Sequence, residues 1–406
     1  MTDRSPWSLV FGDVMTGELL GRVPVNQVQF STMLNTSGAL SGQINMADPR
    51  VQQATANLGG GDGGLLEAGR TTVYVDYAGT LLWGGVLMTT SFDTTQGQPV
   101  LQVGAVDWWG WIGNQRVVSW TNDSAATQLA YTNVDVLAIV EDLFNRAQAD
   151  NGGNVGISVP STESGALCTV TFEQSQAIIL GQAVQQLSQQ AGVYGFDYAI
   201  NVAYNGAYDP TKAVSKTNQP ILKLLELGYP RLGRVSSSDG LVFRAGGKGS
   251  MGYTWPVDAT SSGLKVIGIG AGQGSAATTA TSTVGGSLMS IQSYQPAIDG
   301  GWPLTEQVVN RSDITSQAIL DAVTISQLAA VAYPVPTPTF VQNVDHSTPA
   351  LGEWMVGDDC RAIVNPDPWF TSGLDTTMRI GGHTFNIADQ GVSSVQIALV
   401  VPPLLS

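Results

Sequence analysis

Charged side chains are scarce in this sequence. Asp, Glu, Lys and Arg make up 12% of its 406 residues, about half of the roughly 25% usual in globular proteins. The charge present is mostly negative: 32 acidic residues stand against 17 basic ones, a formal net charge of −15. A basic stripe for gripping nucleic acid is therefore not expected. The acidity reads either as plain solubility or as the wall of a channel that lets DNA pass without sticking. Cysteine is limited to Cys168 and Cys360, too few for a disulfide framework, and no CxxC or Cys/His cluster exists. Both are expected to be buried free thiols. No apolar run approaches 18 residues, which excludes a membrane-spanning helix and stable membrane insertion. Residues 1–17 lack a signal-peptide pattern, because Gly12 and Asp13 interrupt their short apolar stretch. The chain is expected to be made in a reducing cytoplasm and to leave it only inside an assembly.

Apolar residues reach 43%, enough for sizeable cores, and the length implies two to four domains. Gly, Ser, Thr, Gln and Asn fill the remainder, which suits strands and turns better than exposed helices. Val73–Asp76 and Leu81–Met88 read as strands around a Tyr77-Ala78-Gly79-Thr80 turn, with Val100–Val106 as a further strand. Six consecutive residues from Gly59 to Gly64 read as a loop. Helices are predicted over Val134–Ala149, capped by Thr132 or Asn133, and over Glu173–Ala191, ended by Gly192. A third is predicted over Ser312–Val331, with Ile314, Ala318, Ala322, Ile325 and Ala329 on one face. Tyr194–Tyr204 reads as a strand. Ala271–Gly286 is almost wholly small residues and reads as a mobile loop. The Pro-rich 334–338 stretch marks a boundary. Beyond it, Gly381-Gly382 reads as a hairpin between Thr377–Ile380 and His383–Ile387, and Val395–Val401 closes the chain.

Catalytic constellations are missing. His346 and His383 are the only histidines and form no HExxH or zinc pattern. A Cys–His dyad built on His383 has no local signature. Gly247-Lys248-Gly249-Ser250 fails the phosphate-loop pattern twice, at Val242 and at Gly249. Gly268, Gly270, Gly272 and Gly274 fail the dinucleotide pattern. Asp358-Asp359 after Gly357 reads as a turn entering a strand at Cys360, with a metal or acid pair as the alternative. A glycosidase pair drawn from distant positions stays open. Trp108, Trp109 and Trp111 form the densest aromatic cluster. They read as packing where a strand ends, or as a sugar-binding platform; in a strand, Trp109 and Trp111 would share a face. No catalytic residue, cofactor site or metal site is assigned.

The order of segments resembles a known family. Val73-Tyr74-Val75-Asp76, the Gly79 turn, Leu82-Trp83-Gly84-Gly85-Val86, and Val106-Asp107-Trp108-Trp109-Gly110-Trp111 followed by Arg116 resemble the first barrel of the tail hub (minor tail protein) family of long-tailed bacteriophages. The likeness is strongest to those infecting actinobacteria, and the same fold family includes contractile baseplate hubs. Gly357-Asp358 opening a strand, Phe370 and Gly373 in a loop, and Arg379-Ile380-x-Gly382 before a last strand are similar to the second barrel. Residues 205–300 carry little of the likeness.

The resemblance implies a mainly β fold: two small β-barrel, tube-like domains, 1–118 and 332–406, flanking a mixed α+β insert, 119–331. It implies a non-enzymatic virion protein at the tail tip. Such a protein is a baseplate hub in which a homotrimer presents six barrels as a pseudo-sixfold ring. That ring would join the tail tube and distal tail protein to tip or fibre proteins, hold the end of the tape-measure protein, and pass phage DNA as transiting cargo during ejection. Trp83, Trp108, Trp109, Trp111 and Arg379 are the candidate packing or subunit-interface residues. The alternatives are a receptor- or carbohydrate-binding tip protein and a cell-wall hydrolase.

Overall fold

Strands at both ends of the chain pair into a single sheet. The computed structural model describes residues 6–401 apart from 26, 50, 53–65, 96, 120–126, 191–194, 217, 236–239, 261, 272–287, 312, 313, 315, 333–335 and 389–392. The first segment supplies β1 (Trp7–Asp13), β2 (Leu19–Pro24), β3 (Gln27–Met33), β4 (Ala39–Asn45), β5 (Thr71–Tyr77), β6 (Thr80–Asp93) and β7 (Val100–Asp107). Helix α1 (Trp108–Gln115) follows directly, then β8 (Gln128–Asp135), α2 (Val136–Ala149), β9 (Ile157–Ser158), β10 (Leu167–Glu173) and α3 (Leu180–Gln190). Next come β11 (Asp197–Tyr204), β12 (Ile221–Gly228), β13 (Val242–Ala245), β14 (Ser250–Thr254), β15 (Lys265–Ile269) and β16 (Met289–Ser293). The chain continues through α4 (Gln295–Asp299), β17 (Glu306–Asn310), α5 (Gln317–Val331), β18 (Thr339–Asn343), β19 (Asp359–Val364), β20 (Leu374–Ile387) and β21 (Ser394–Val400).

The fold is mainly β. Thirteen strands join in the order β14-β18-β21-β20-β3-β4-β7-β6-β5-β1-β2, with β19 pairing β20 and β13. The two chain ends meet where β3 runs antiparallel to β20, Phe30 opposite Phe385. Those two rings stack 4.7 Å apart, and a single apolar cluster runs from Trp7 and Phe11 to Ile397 and Leu399. β13 and β14, from the stretch with little family likeness, add to the C-terminal part of this sheet. Among the described residues the pairing path is open at β14 and β2, so no closed barrel is found there.

The turn at Ala78 and Gly79 takes positive φ at both positions, 51° and 93°, as a two-residue hairpin turn between right-twisted strands requires. Gly381-Gly382 is not a hairpin: β20 runs through it for 14 residues. The first half of β20 pairs with β19 and the second half with β3. The glycines sit where partners change, at a register shift against β21. A Cβ on Gly382 would lie 2.3 Å from the Met33 sulfur and 3.0 Å from the Thr32 carbonyl oxygen. A paired glycine here permits a bulge and a close strand approach, not a turn.

Helix boundaries shift for local reasons. Asp135, not Thr132 or Asn133, caps α2: its Oδ1 accepts from the Leu137 amide at 2.9 Å while Oδ2 accepts from the amides of Ser164 and Gly165. The predicted helix over 173–191 starts later, because Glu173 ends β10 and Ala177 is left-handed, φ 44°. Leu180, Val184 and Leu187 are its buried stripe. In α5 the buried face is Leu320, Val323 and Thr324, and Ala318, Ile325 and Ala329 of the predicted face point to solvent. The Thr324 hydroxyl donates to the Leu320 carbonyl at 2.7 Å, and the Cβ-less Gly268 of β15 lies against it. The Gly59–Gly64 loop, the Gly192 stop and the 272–286 loop lie outside the described residues.

Candidate functional site

Few charges are available, and the protein buries several of them where three segments of chain meet. Asp197 at the start of β11 is 6% exposed and Arg379 of β20 is 5% exposed. A charge taken out of water must be paired and hydrogen-bonded, and Asp197 is. Its Oδ1 accepts from Asn35 Nδ2 at 2.6 Å; its Oδ2 accepts from the Leu232 amide at 2.9 Å and from Arg379 Nη2. Arg379 also donates Nε to the Gly357 carbonyl at 2.9 Å and Nη2 to the Leu232 carbonyl at 2.8 Å. One buried ion pair thus ties the β3–β4 connection, the insert and the C-terminal segment.

A second buried pair lies in the same seam. Arg231 donates through both Nη atoms to the two oxygens of Asp359, at 2.8 and 2.6 Å, the fork geometry that makes Arg the strong partner of a carboxylate. Asp358 accepts from the amide and guanidinium of Arg234, at 2.8 and 2.7 Å, and from the Met355 amide at 3.0 Å. The two loops cross at glycines. Gly233 has φ +84°, and a Cβ there would sit 2.2 Å from the Gly357 carbonyl carbon. The Asp358-Asp359 turn is therefore an ion-pair anchor, with both carboxylates occupied by arginines.

On the N-terminal side, Asp76 is 1% exposed and accepts from Arg22, from the Gly79 amide and from the Tyr204 hydroxyl at 2.7 Å. Burial, and then the Asp76 charge, push the Tyr204 hydroxyl up to about 12. β11 is thus pinned to the main sheet at both ends, by Asp197 and by Tyr204.

The tryptophans fall around this seam. Trp83 is buried and donates to the Ser31 carbonyl at 3.0 Å. Trp108, Trp109 and Trp111 lie on helix α1, not on a strand, so Trp108 and Trp111 share a side and meet edge-on at 6.3 Å. Asp107 ends β7 and caps α1: its carboxylate accepts from the Gly110 and Gly38 amides, each at 2.6 Å. Burial pushes that carboxyl up to about 6. Trp109 packs on Tyr198 at 4.2 Å. Trp108 is fully buried beneath the Lys223 ammonium, 4.6 Å from its ring centre. Trp108 and Trp109 are buried and Trp111 half-buried, so the cluster offers no solvent-facing platform of stacked rings for a sugar.

Neither cysteine is armed as a nucleophile. Cys360 is completely buried, and desolvation with Asp359 and Asp358 nearby pushes its thiol up to about 12; burial also raises Cys168. A thiol held protonated is a poor nucleophile. Burial lowers His383 to about 4. Gly247–Gly249 is a tight turn between β13 and β14, its Gly249 at φ +81°. Among the described residues no group of three or more His, Cys, Asp or Glu side chains could hold a metal, and no helix is long and apolar enough to cross a membrane. Sequence reasoning singled out Arg379 but missed Asn35, Asp197 and Arg231. Their only signal was that a chain so poor in charge keeps charged residues at strand ends and beside Gly233 and Gly357.

Solved structures match this architecture end to end. The tail protein from Neisseria meningitidis MC58 superimposes with a TM-score of 0.59 at 12% identity, covering 97% of this chain and 96% of that one. The 43 kDa tail protein of prophage MuSo2 from Shewanella oneidensis does so with a TM-score of 0.59 at 10% identity, over 97% and 98%. No protein-family model matches the chain, and no curated protein matches it in sequence. The fold is therefore shared with these two tail proteins.

Proposed function

We propose that this chain is a structural, non-enzymatic protein of a phage tail, and that its place is the hub at the tail tip. The observation that carries the reading is the end-to-end likeness of the whole chain, both terminal segments and the insert, to two tail proteins. A fold shared at so little sequence identity does not by itself give the function, which must still be argued from the surfaces it presents. In this reading three copies form a ring. The N-terminal segment, β1–β7, and the C-terminal segment, β18–β21, are the two tube-like modules of each copy, giving six around one channel. The ion pairs Arg379–Asp197 and Arg231–Asp359 hold the modules at a fixed angle through the insert, as a rigid adaptor needs. The ring would meet the tail tube and distal tail protein above, carry tip or fibre proteins below, and let the tape-measure protein and DNA through. The net charge of −15 suits a wall that repels DNA.

Cryo-electron microscopy of the virion tests this. Three copies around a central channel at the far end of the tail tube are expected. Finding the chain elsewhere on the particle, or as one copy off the axis, would overturn the hub; a strongly positive channel wall would end the role given to the acidic charge.

A further inference from the structure

The small sheet of the insert carries its apolar side chains on the side away from its helix. Its strands pair in the order β16-β15-β17, and α5 packs on β15 and β16. The helix side holds Gly268, where a Cβ would lie 2.2 Å from the Thr324 hydroxyl oxygen. Val266 and Val309 share that side with Ser290, Gln292 and Gln307. The opposite side holds Ile267 between Ile291 and Val308 in one cross-strand row, and Ile269 beside Met289 in the next. A sheet with one packed face puts its apolar residues there and its polar ones outside. Here the order is reversed, and the outer row is open to solvent: Ile291 is 39% exposed and Val308 62%.

Helix α5 repeats the anomaly. Leu320, Val323 and Thr324 face the sheet. Ala318, Ile325 and Ala329 recur at helical spacing on the far side, where all three are exposed, Ile325 by 41%. A surface helix carries polar residues opposite its core stripe; this one carries alanines and an isoleucine. One two-layer unit thus has an unpartnered apolar surface on each of its two outer sides.

We propose that these two surfaces meet between copies of this chain: the outer face of the β16-β15-β17 sheet of one copy packs on the outer stripe of α5 of the next. Alanines at 318 and 329 leave room for the β-branched Ile267, Ile291 and Val308, as Gly268 leaves room beneath the same helix within one copy. A centre that is aliphatic and free of charge is the composition of permanent contacts between like subunits. The contact is heterologous, sheet to helix, so every copy uses both surfaces and successive copies close into a ring. Strand spacing and rise give the sheet face roughly 14 by 17 Å, about a third of the roughly 800 Å² per partner in a stable pair. That is little for a lone foreign partner, whereas a copy in a closed ring is held at two such contacts at once. Closure at three copies rests on the hub reading; the sheet-on-helix contact does not.

The test uses the full chain at submillimolar concentration with a short bismaleimide cross-linker. The native Cys168 and Cys360 are buried and should stay unlinked. A chain carrying both Val308→Cys and Ile325→Cys should give covalent oligomers on a denaturing gel, and each single variant should give at most about a tenth as much. Both positions are exposed, so the melting midpoint should be that of the wild type. Adding Ile291→Glu to the double variant should cut the oligomers about tenfold or more, because the contact would bury an unpaired carboxylate. If that chain fails to fold, Ile291→Thr, close to it in shape, should cut them severalfold. No oligomers from the double variant, or oligomers that Ile291→Glu leaves unchanged, would overturn the proposal. Dimers from Val308→Cys alone would overturn it in favour of sheet packed on sheet. Oligomers that form as expected while the chain lies elsewhere on the particle support the contact and reject the hub; three copies around the channel without cross-links do the reverse.

Discussion

Removing Arg379 is the sharpest test of the seam. Arg379→Ala deletes a guanidinium that satisfies one carboxylate and two carbonyls, those of Asp197, Gly357 and Leu232. Breaking a buried pair from one side costs about 3–5 kcal/mol, because the remaining charge stays buried and unpaired. Asp197 keeps its bonds from Asn35 and the Leu232 amide, which places the loss near the lower end, about 3 kcal/mol. That is roughly a hundredfold in the folding equilibrium. Urea unfolding followed by circular dichroism, with linear extrapolation to water, reads it directly. A cycle with Asp197→Asn should show strong coupling between the two positions. The exposed pair Arg361–Asp375, 48% and 49% accessible, is the internal control, and Arg361→Ala should leave the midpoint where it was. A loss from Arg379→Ala below about 1 kcal/mol, or effects of Arg379→Ala and Asp197→Asn that simply add, would refute the claim that this pair fixes the three segments together.

Other expectations follow from the same structure. Burial, with Lys216 adding repulsion, lowers Lys223 from 10.5 to about 7, so between pH 7 and 10.5 the unfolded chain binds the extra proton and stability should rise with pH. Lys223→Met should remove that rise, and the gap between it and the wild type in urea midpoint should change across this window and be constant below it. His383, lowered from 6.5 to about 4, makes the folded protein lose stability as pH falls from 6.5 to 4; His383→Phe should flatten that contribution in the same titration. Asp135→Ala removes the α2 cap and its two loop amides and should lower stability by about 1–2 kcal/mol, read from the thermal midpoint; no change would mean water replaces the cap. Gly85→Ala places a Cβ 2.0 Å from the Val106 carbonyl oxygen in the paired strand, so a loss of about 3 kcal/mol or more is expected, and a wild-type melting curve would contradict the tight β6–β7 pairing.

Sequence alone determined the local elements. Strands around the Ala78-Gly79 turn and the helix that buries Leu137, Val140 and Phe144 follow from local chemistry: alternation, capping and spacing act within a few residues. Tertiary structure decided what local chemistry leaves degenerate. Two glycines in a row fit a hairpin or a bulge equally well, and only the change of partner from β19 to β3 selects the bulge at Gly381-Gly382. Adjacent tryptophans fit a strand or a helix, and the Asp107 cap selects the helix. The face of α5 was set by β15 and β16 packing against Leu320 and Thr324, not by its own nearly all-round apolar pattern. Asn35, Asp197, Arg231, Asp359 and Arg379 lie as far as 182 positions apart in pairs, and no pattern in one dimension joins them. Burial brought them together, since a carboxylate taken out of water is stable only where the fold delivers partners for it, here arginines.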